Sequence, residues 1–157
     1  MLSRLALTAT ICLSVFGQKY QGPKPPKPDL PYLLHASNLV ETEAGEARES
    51  KVKDDVLYTV AGTTSSARTP MAEPIFIIDA EKLIPDRLSL YKMEVKNGQR
   101  QLQIGTGRRS KGAKPIFMMV NKLQGSLFRV EVNEYLENGE YCLSPEGSNQ
   151  VFCFTTY

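Results

Sequence analysis

The chain reads as an all-β, antiparallel sandwich, and three observations predict it. Short runs of residues alternate between apolar and polar with a period of two, as strands with one wet face require. Asn97-Gly98 is the residue pair that a two-residue type I′ hairpin turn demands, because both positions need positive φ. Near the C-terminus Glu140 to Leu143 and Val151 to Phe154 form two further runs, with Cys142 in the first and Cys153 in the second. At 157 residues the chain has room for one domain built on one sizeable core.

Composition narrows the function classes. Apolar residues are 41% of the chain and charged residues 23%, which places it with ordinary globular domains. Nineteen Lys and Arg against seventeen Asp and Glu give +2, too little to point to a polyanionic partner such as nucleic acid. Leu5 to Phe16 is an apolar run of about twelve residues behind Arg4, too short for a bilayer and suited to a signal-peptide core. Val15 and Gly17 are small, so cleavage is expected between Gly17 and Gln18, giving a leader over residues 1–17. Cys12 is preceded by Ile11, which argues against a lipoprotein anchor, and it leaves with the leader. The mature chain then carries 18 Lys and Arg against 17 Asp and Glu, or +1, and no membrane-spanning run. Its two cysteines are an even count in an exported context, periplasmic or extracellular, and should pair. No Asn-x-Ser/Thr sequon occurs, which fits a bacterial export route.

Residues 18–31 hold five prolines and three lysines, the composition of an extended, polyproline-like tether. The folded domain is expected over 32–157. Pro31 to Val40 is apolar with a polar break at Ser37 and Asn38, which predicts a first strand or strand pair. Glu41 to Asp55 is densely charged and lacks an apolar stripe, so a solvated edge or loop is favoured over a helix. Val56 to Val60 alternates around Tyr58 as a strand, and Gly62 to Pro74, rich in Thr, Ser and Pro, predicts a solvated loop.

Pairing across Asn97-Gly98 sets Val95 opposite Arg100, Met93 opposite Leu102 and Tyr91 opposite Ile104, all on one face. Lys92, Glu94, Lys96, Gln99, Gln101 and Gln103 make the other, wet face. An internal echo runs through this region. Pro74-Ile75-Phe76 returns as Pro115-Ile116-Phe117, Ser89 to Val95 returns as Ser126 to Val132, and Asn97-Gly98 returns as Asn138-Gly139. A duplicated strand-pair unit accounts for three matches in order, and so do similar strand environments within one fold.

Leu136, Gly139 and Tyr141 have the spacing of a tyrosine corner, where a tyrosine hydroxyl bonds back to the backbone as an immunoglobulin-like chain crosses between sheets. The expected architecture is therefore an immunoglobulin-like antiparallel sandwich of seven or eight strands. In antibody-type domains the cysteine comes two residues after that tyrosine and joins the sheets, whereas Cys142 follows Tyr141 directly and must point to the opposite face. With Cys142 opposite Cys153, Tyr141 meets Phe154 and Leu143 meets Phe152 on the core side, and the disulfide staples two neighbouring strands. The run GEYCLSPEGSNQVFCF, with the PIF and NGQRQL strands, resembles uncharacterised secreted bacterial β-sandwich proteins. That resemblance implies export and fold, and it transfers no site residues.

Candidates for chemistry are few. His35 is the sole histidine and could serve a hydrolase only with Ser37, Ser65 or Ser66 as nucleophile, yet there is no G-x-S-x-G elbow and no S-x-x-K motif. Glu131 with Glu134, and Asp79 with Glu81, are carboxylate pairs that read better as turn and cap residues. The segment from Gly105 to Lys114 concentrates Arg108, Arg109, Lys111 and Lys114 without Walker or dinucleotide spacing. It suits a cationic loop that meets an anionic envelope polymer or a lipid head group. No residue pattern specifies a cofactor or a metal. The reading favoured is an exported binding or structural module whose partner is an anionic polymer or another envelope protein, reached in one version by strand addition at a sheet edge. A small secreted hydrolase is the alternative.

Overall fold

Alternation and turn chemistry place the strands in the computed structural model, which describes residues 19–105 and 112–157. In chain order they are β1 (Tyr32–His35), β2 (Asn38–Glu41), β3 (Glu43–Glu46), β4 (Arg48–Val52), β5 (Asp55–Ala61), β6 (Arg68–Thr69) and β7 (Ile75–Asp79). Then follow β8 (Leu88–Lys96), β9 (Gln99–Gly105), β10 (Met118–Gln124), β11 (Leu127–Val132), β12 (Gly139–Pro145) and β13 (Gln150–Thr156). A single 3-10 turn, Pro85–Arg87, leads into β8. Residues 1–17, with the expected cleavage site, lie outside the described residues.

The strands form two sheets, ordered β10-β11-β7-β1-β2 and β3-β13-β12-β8-β9-β5-β4, with β6 beside β13. The immunoglobulin-like order is present. β1, β7, β11 and β10 take the A, B, E and D positions of one sheet, and β8, β12 and β13 take C, F and G of the other, with β9 as C′. β6 runs parallel to β13, pairing Arg68 with Thr155. These eight or so strands are the sandwich that the sequence predicts. The additional strands β2 to β5 come from residues 38–61, and β3 and β4 arise where the charges suggested an edge or loop. Both are indeed edges of the larger sheet, with exposed residues throughout β4.

Between the sheets lies the main core. Leu33, Phe76, Ile78, Leu90, Val130, Leu143, Phe152 and Phe154 are buried together there, each worth about 1.5–3 kcal/mol when fully removed from water. Phe154 meets Phe76 edge-on at 5.3 Å and stacks with Tyr141 at 5.7 Å. Tyr141 Oη donates to the Glu137 carbonyl at 2.8 Å, so the tyrosine corner is formed. The C-terminal hairpin has the predicted register, with Tyr141 opposite Phe154, Cys142 opposite Cys153 and Leu143 opposite Phe152. Cys142 and Cys153 are disulfide-bonded.

Two expectations change. Asn97 and Gly98 do adopt positive φ, 53° and 73°, and Val95 pairs with Arg100. The ladder then stops at Glu94, where β8 parts from β9, while the other edge of β8 pairs with β12 from Met93 back to Leu88. Residues 113–116 fill the gap, with Ala113 N donating to Gln103 O and Ile116 N to Leu90 O. The echo is not a repeated unit. β7 and β8 lie in different sheets, whereas β10 and β11 are hairpin partners in one, and Gly139 opens a strand instead of a turn.

The proline-rich segment is fastened at its end. Asp29 N donates to Asp79 O at 2.7 Å, and Asp29 Oδ1 accepts the backbone N–H groups of Glu81, Lys82 and Leu83. Burial works to raise the Asp29 pKa, but those three donors outweigh it and hold the carboxyl below its ordinary value. Replacing both Cys142 and Cys153 by Ala is expected to lower stability by about 2–3 kcal/mol, and Tyr141→Phe by about 1 kcal/mol. Urea unfolding of the oxidised chain measures both, and an unchanged midpoint for the double variant would refute the staple.

Candidate functional site

The larger sheet has a feature that the smaller one lacks. Its two edge strands, β3 and β4, are consecutive in the chain and separated only by Ala47. β3 pairs with β13 while β4 pairs with β5, so the sheet rolls round until its edges meet at one residue. Ala47 is buried at that junction, and its N–H donates to Asn149 O at 2.8 Å. The inside of the roll is a second core, formed by Ala47, Val60, Met93, Leu102, Val151 and the disulfide, with Tyr58, Tyr91 and Ile104 packed against it. The disulfide face, opposite the aromatic face of the hairpin, is therefore buried as well. Cys142 is 2% exposed and Cys153 0%.

Period-two alternation decides what enters the roll. Along β9 the inward residues are Arg100, Leu102 and Ile104; along β12 they are Glu140, Cys142 and Ser144; along β8 they are Met93, Tyr91 and Ser89. All run from one end of the roll to the other. Tyr91, Met93, Arg100, Leu102 and Ile104 are residues that the alternation of the Asn97-Gly98 hairpin puts on one face; Val95, expected with them, is exposed, and Lys92, Glu94, Lys96, Gln99 and Gln103 on the opposite face are exposed as expected.

One end is sealed by ions. Arg100 is 1% exposed, and its Nη2 donates to Glu43 Oε1 at 2.6 Å and to Ala61 O at 2.7 Å. Nε donates to Gly62 O at 3.3 Å. Nη1 lies 4.0 Å from Glu140 Oε2 and makes no hydrogen bond among the described residues. Glu140 is held by Ser65 N at 2.9 Å and Thr155 Oγ1 at 2.8 Å. Burial works to raise the Glu43 pKa, but the Arg100 guanidinium, then the Ser66 N–H and the Ser65 hydroxyl, outweigh it and hold the group below its ordinary value.

The other end is open. A cavity of about 380 Å³ enters there, with Val60, Met93 and Leu102 at its base and Tyr58, Tyr91 and Ile104 as walls. Its rim carries Ser89, Ser144, Ser148 and Asn149, with Asp86, Arg87 and Glu146 further out. Burial, then Glu49 across the β4–β5 pair, then Tyr91 raise the Tyr58 pKa, so its hydroxyl stays protonated and can donate. The arrangement can take an apolar group into the roll and satisfy a polar end with neutral donors and acceptors.

The sequence-predicted residues are placed elsewhere, apart from the cysteines, of which Cys142 lines the cavity. Arg108, Arg109 and Lys111 lie outside the described residues, and Lys114 is exposed. His35 Nε2 is 2.9 Å from Thr69 Oγ1, while Ser65 Oγ donates to the Cys153 carbonyl at 3.1 Å. The Thr-Ser loop is only in part a solvated linker: Thr63, Thr64, Ser66 and Arg68 are exposed, while Ser65 and Thr69 are buried against the Cys153 carbonyl and His35. Glu131 pairs with Arg129, Glu134 accepts Phe117 N, Asp79 accepts Ser126 Oγ, and the Glu81 N–H caps Asp29. Arg100, Tyr58 and Tyr91 were not singled out from the sequence. Arg100 had one signal, a charged residue at an inward position of an alternating strand. Among the described residues no cluster of His, Cys, Asp and Glu could hold a metal ion, and no helix is long and apolar enough to cross a membrane. No protein-family model, curated protein or solved structure matches this chain.

The sealed end makes two predictions. Arg100→Met leaves two carboxylates without their cation and is expected to cost about 3–5 kcal/mol, part of which returns when Glu43→Gln and Glu140→Gln are added. Urea unfolding of the single and triple variants checks this, and a single variant as stable as the parent would refute it. Glu43 has a depressed folded pKa, so its contribution is complete above its ordinary value of 4.5 and is lost as pH falls through the lower folded value. The thermal midpoint should therefore drop on acidification below about pH 4.5, and drop less steeply in Glu43→Gln; parallel slopes in the two proteins would count against this assignment.

Proposed function

We propose that this protein is an exported binding module and that the open end of the rolled sheet receives a small, largely apolar molecule. The observation that carries the reading is the cavity of about 380 Å³ closed at its base by Met93 and Leu102. A chain that only needed to fold gains nothing from apolar walls left open to water, whereas a binding site does. The leader-like run Leu5 to Phe16 and the bonded cysteine pair support export.

Titration with a neutral fluorescent apolar probe, N-phenyl-1-naphthylamine, tests the binding part. Saturable binding is expected, weakened at least about tenfold by Ser144→Trp, which places an indole across the rim. Absence of saturable binding would overturn the reading. For export, the full chain expressed in a bacterial host should be recovered outside the cytoplasm at the mass of a chain beginning at Gln18. Recovery of the whole chain in the cytoplasm would end that part.

A further inference from the structure

We propose that the pocket admits an uncharged molecule by one extended aliphatic chain, and that the sealed end of the roll limits that chain to about six to eight carbons. This rests on the binding reading above and names the ligand class for the same site.

The limit on length follows from the register. Inward positions along a strand are spaced about 7 Å apart. On β12 the rim residue Ser144 is followed inward by Cys142 and then by Glu140, and on β9 Ile104 is followed by Leu102 and then by Arg100. Cys142 and Leu102 line the cavity, whereas Glu140 and Arg100 do not. The space is thus between one and two such steps deep, about 7–14 Å, and the side chains at its base take up part of the second step, which leaves room for an alkyl chain of that length. Behind the base stands an ion cluster in which Arg100 holds Glu43 and two backbone carbonyls while Glu140 is held by Ser65 and Thr155.

The preference for an aliphatic chain follows from the walls. Val60, Met93, Leu102, Ile104 and Val151 are aliphatic or thioether side chains of the lining, and the two tyrosines give hydroxyls besides their rings. The preference for no charge follows from the absence, among the described residues, of a counter-ion inside. The nearest buried cation among them, Arg100, lies beyond the base and already faces two carboxylates. An anion drawn into the roll would lose its hydration without a partner. At the rim Arg87 Nε is 3.7 Å from Glu146, and Asp86 adds a further negative charge.

Displacement of N-phenyl-1-naphthylamine by a series of 1-alkanols from butanol to dodecanol tests this on the mature chain. Each added methylene should tighten binding roughly fourfold up to six to eight carbons, after which the gain stops. Octanoate should bind at least about tenfold more weakly than octanol. Met93→Ala should move the break to longer chains; should that variant not fold, the break in the parent series decides alone. Affinity that keeps rising past ten carbons, or octanoate binding as tightly as octanol, overturns the proposal. Probe binding that no alkanol displaces also overturns it while the binding reading stands. Failure of the probe itself to bind removes both.

Discussion

The β12–β13 hairpin is buried on both of its faces, and the rest of the molecule is arranged round that constraint. A strand exposes alternate residues to opposite sides, so Tyr141, Leu143, Phe152 and Phe154 enter the sandwich while Cys142, Cys153 and Val151 enter the roll. Neither side can be left to water, since each carries residues that are almost fully buried. The smaller sheet covers the aromatic side. The other side must be covered by the chain's own remaining strands, and β3, β4, β5 and β9 do so by curling back over it. The disulfide sits in the shared wall, where it ties the two strands that both cores need.

Curling a sheet brings its own demands. Edge strands present unpaired N–H and C=O groups, and here the two edges are consecutive in the chain and meet at Ala47. Ala47 at that corner is buried in the same cluster as Val151 and the disulfide, where a small side chain fits. At one end of the roll the strand ends leave the carbonyls of Ala61 and Gly62 turned inward, and Arg100 satisfies both while pairing with Glu43. Burying such an ion pair costs several kcal/mol in desolvation and is repaid only when the remaining donors and acceptors are met. Here most are met, and the cluster draws on β3, β9, β12, β13 and the loop before β6. Its effect is to specify which strands close the roll as much as to stabilise it.

Those parts of the fold that follow from local pattern could be read from the sequence. The facing cysteines, the Tyr141 corner and the Asn97-Gly98 turn each need only neighbouring residues and a period of two, and all three are present. β3 and β4 could not be read in this way. Glu43 to Val52 has almost no apolar alternation because both strands are edges with exposed side chains, and they form because β13 and β5 offer backbone partners. The cavity was hidden for a different reason. Ala47, Tyr58, Tyr91, Leu102 and Val151 come from five places in the chain, and only the closing of the sheet makes them neighbours. By contrast, the conspicuous residues His35, Ser65 and Asp79 turn out to satisfy interior or turn groups.

The ends of the roll explain why a pocket forms on one side only. At the sealed end the inward positions are long and charged, and they reach one another across the interior. At the open end the corresponding positions are Ser89 and Ser144, which face each other on β8 and β12, and the β12–β13 turn beside them holds Gly147, whose φ of +70° favours glycine and which has no side chain to fold inward. Small residues there cannot bridge the gap, so Tyr58, Tyr91 and Ile104 stay half-buried. Filling that space with leucines would remove more apolar area from water at about 25 cal/mol per Å². The chain instead keeps apolar walls beneath a rim of neutral hydrogen-bonding groups, a combination that gives up stability in the free protein and, on the proposed binding reading, recovers it when an apolar molecule enters.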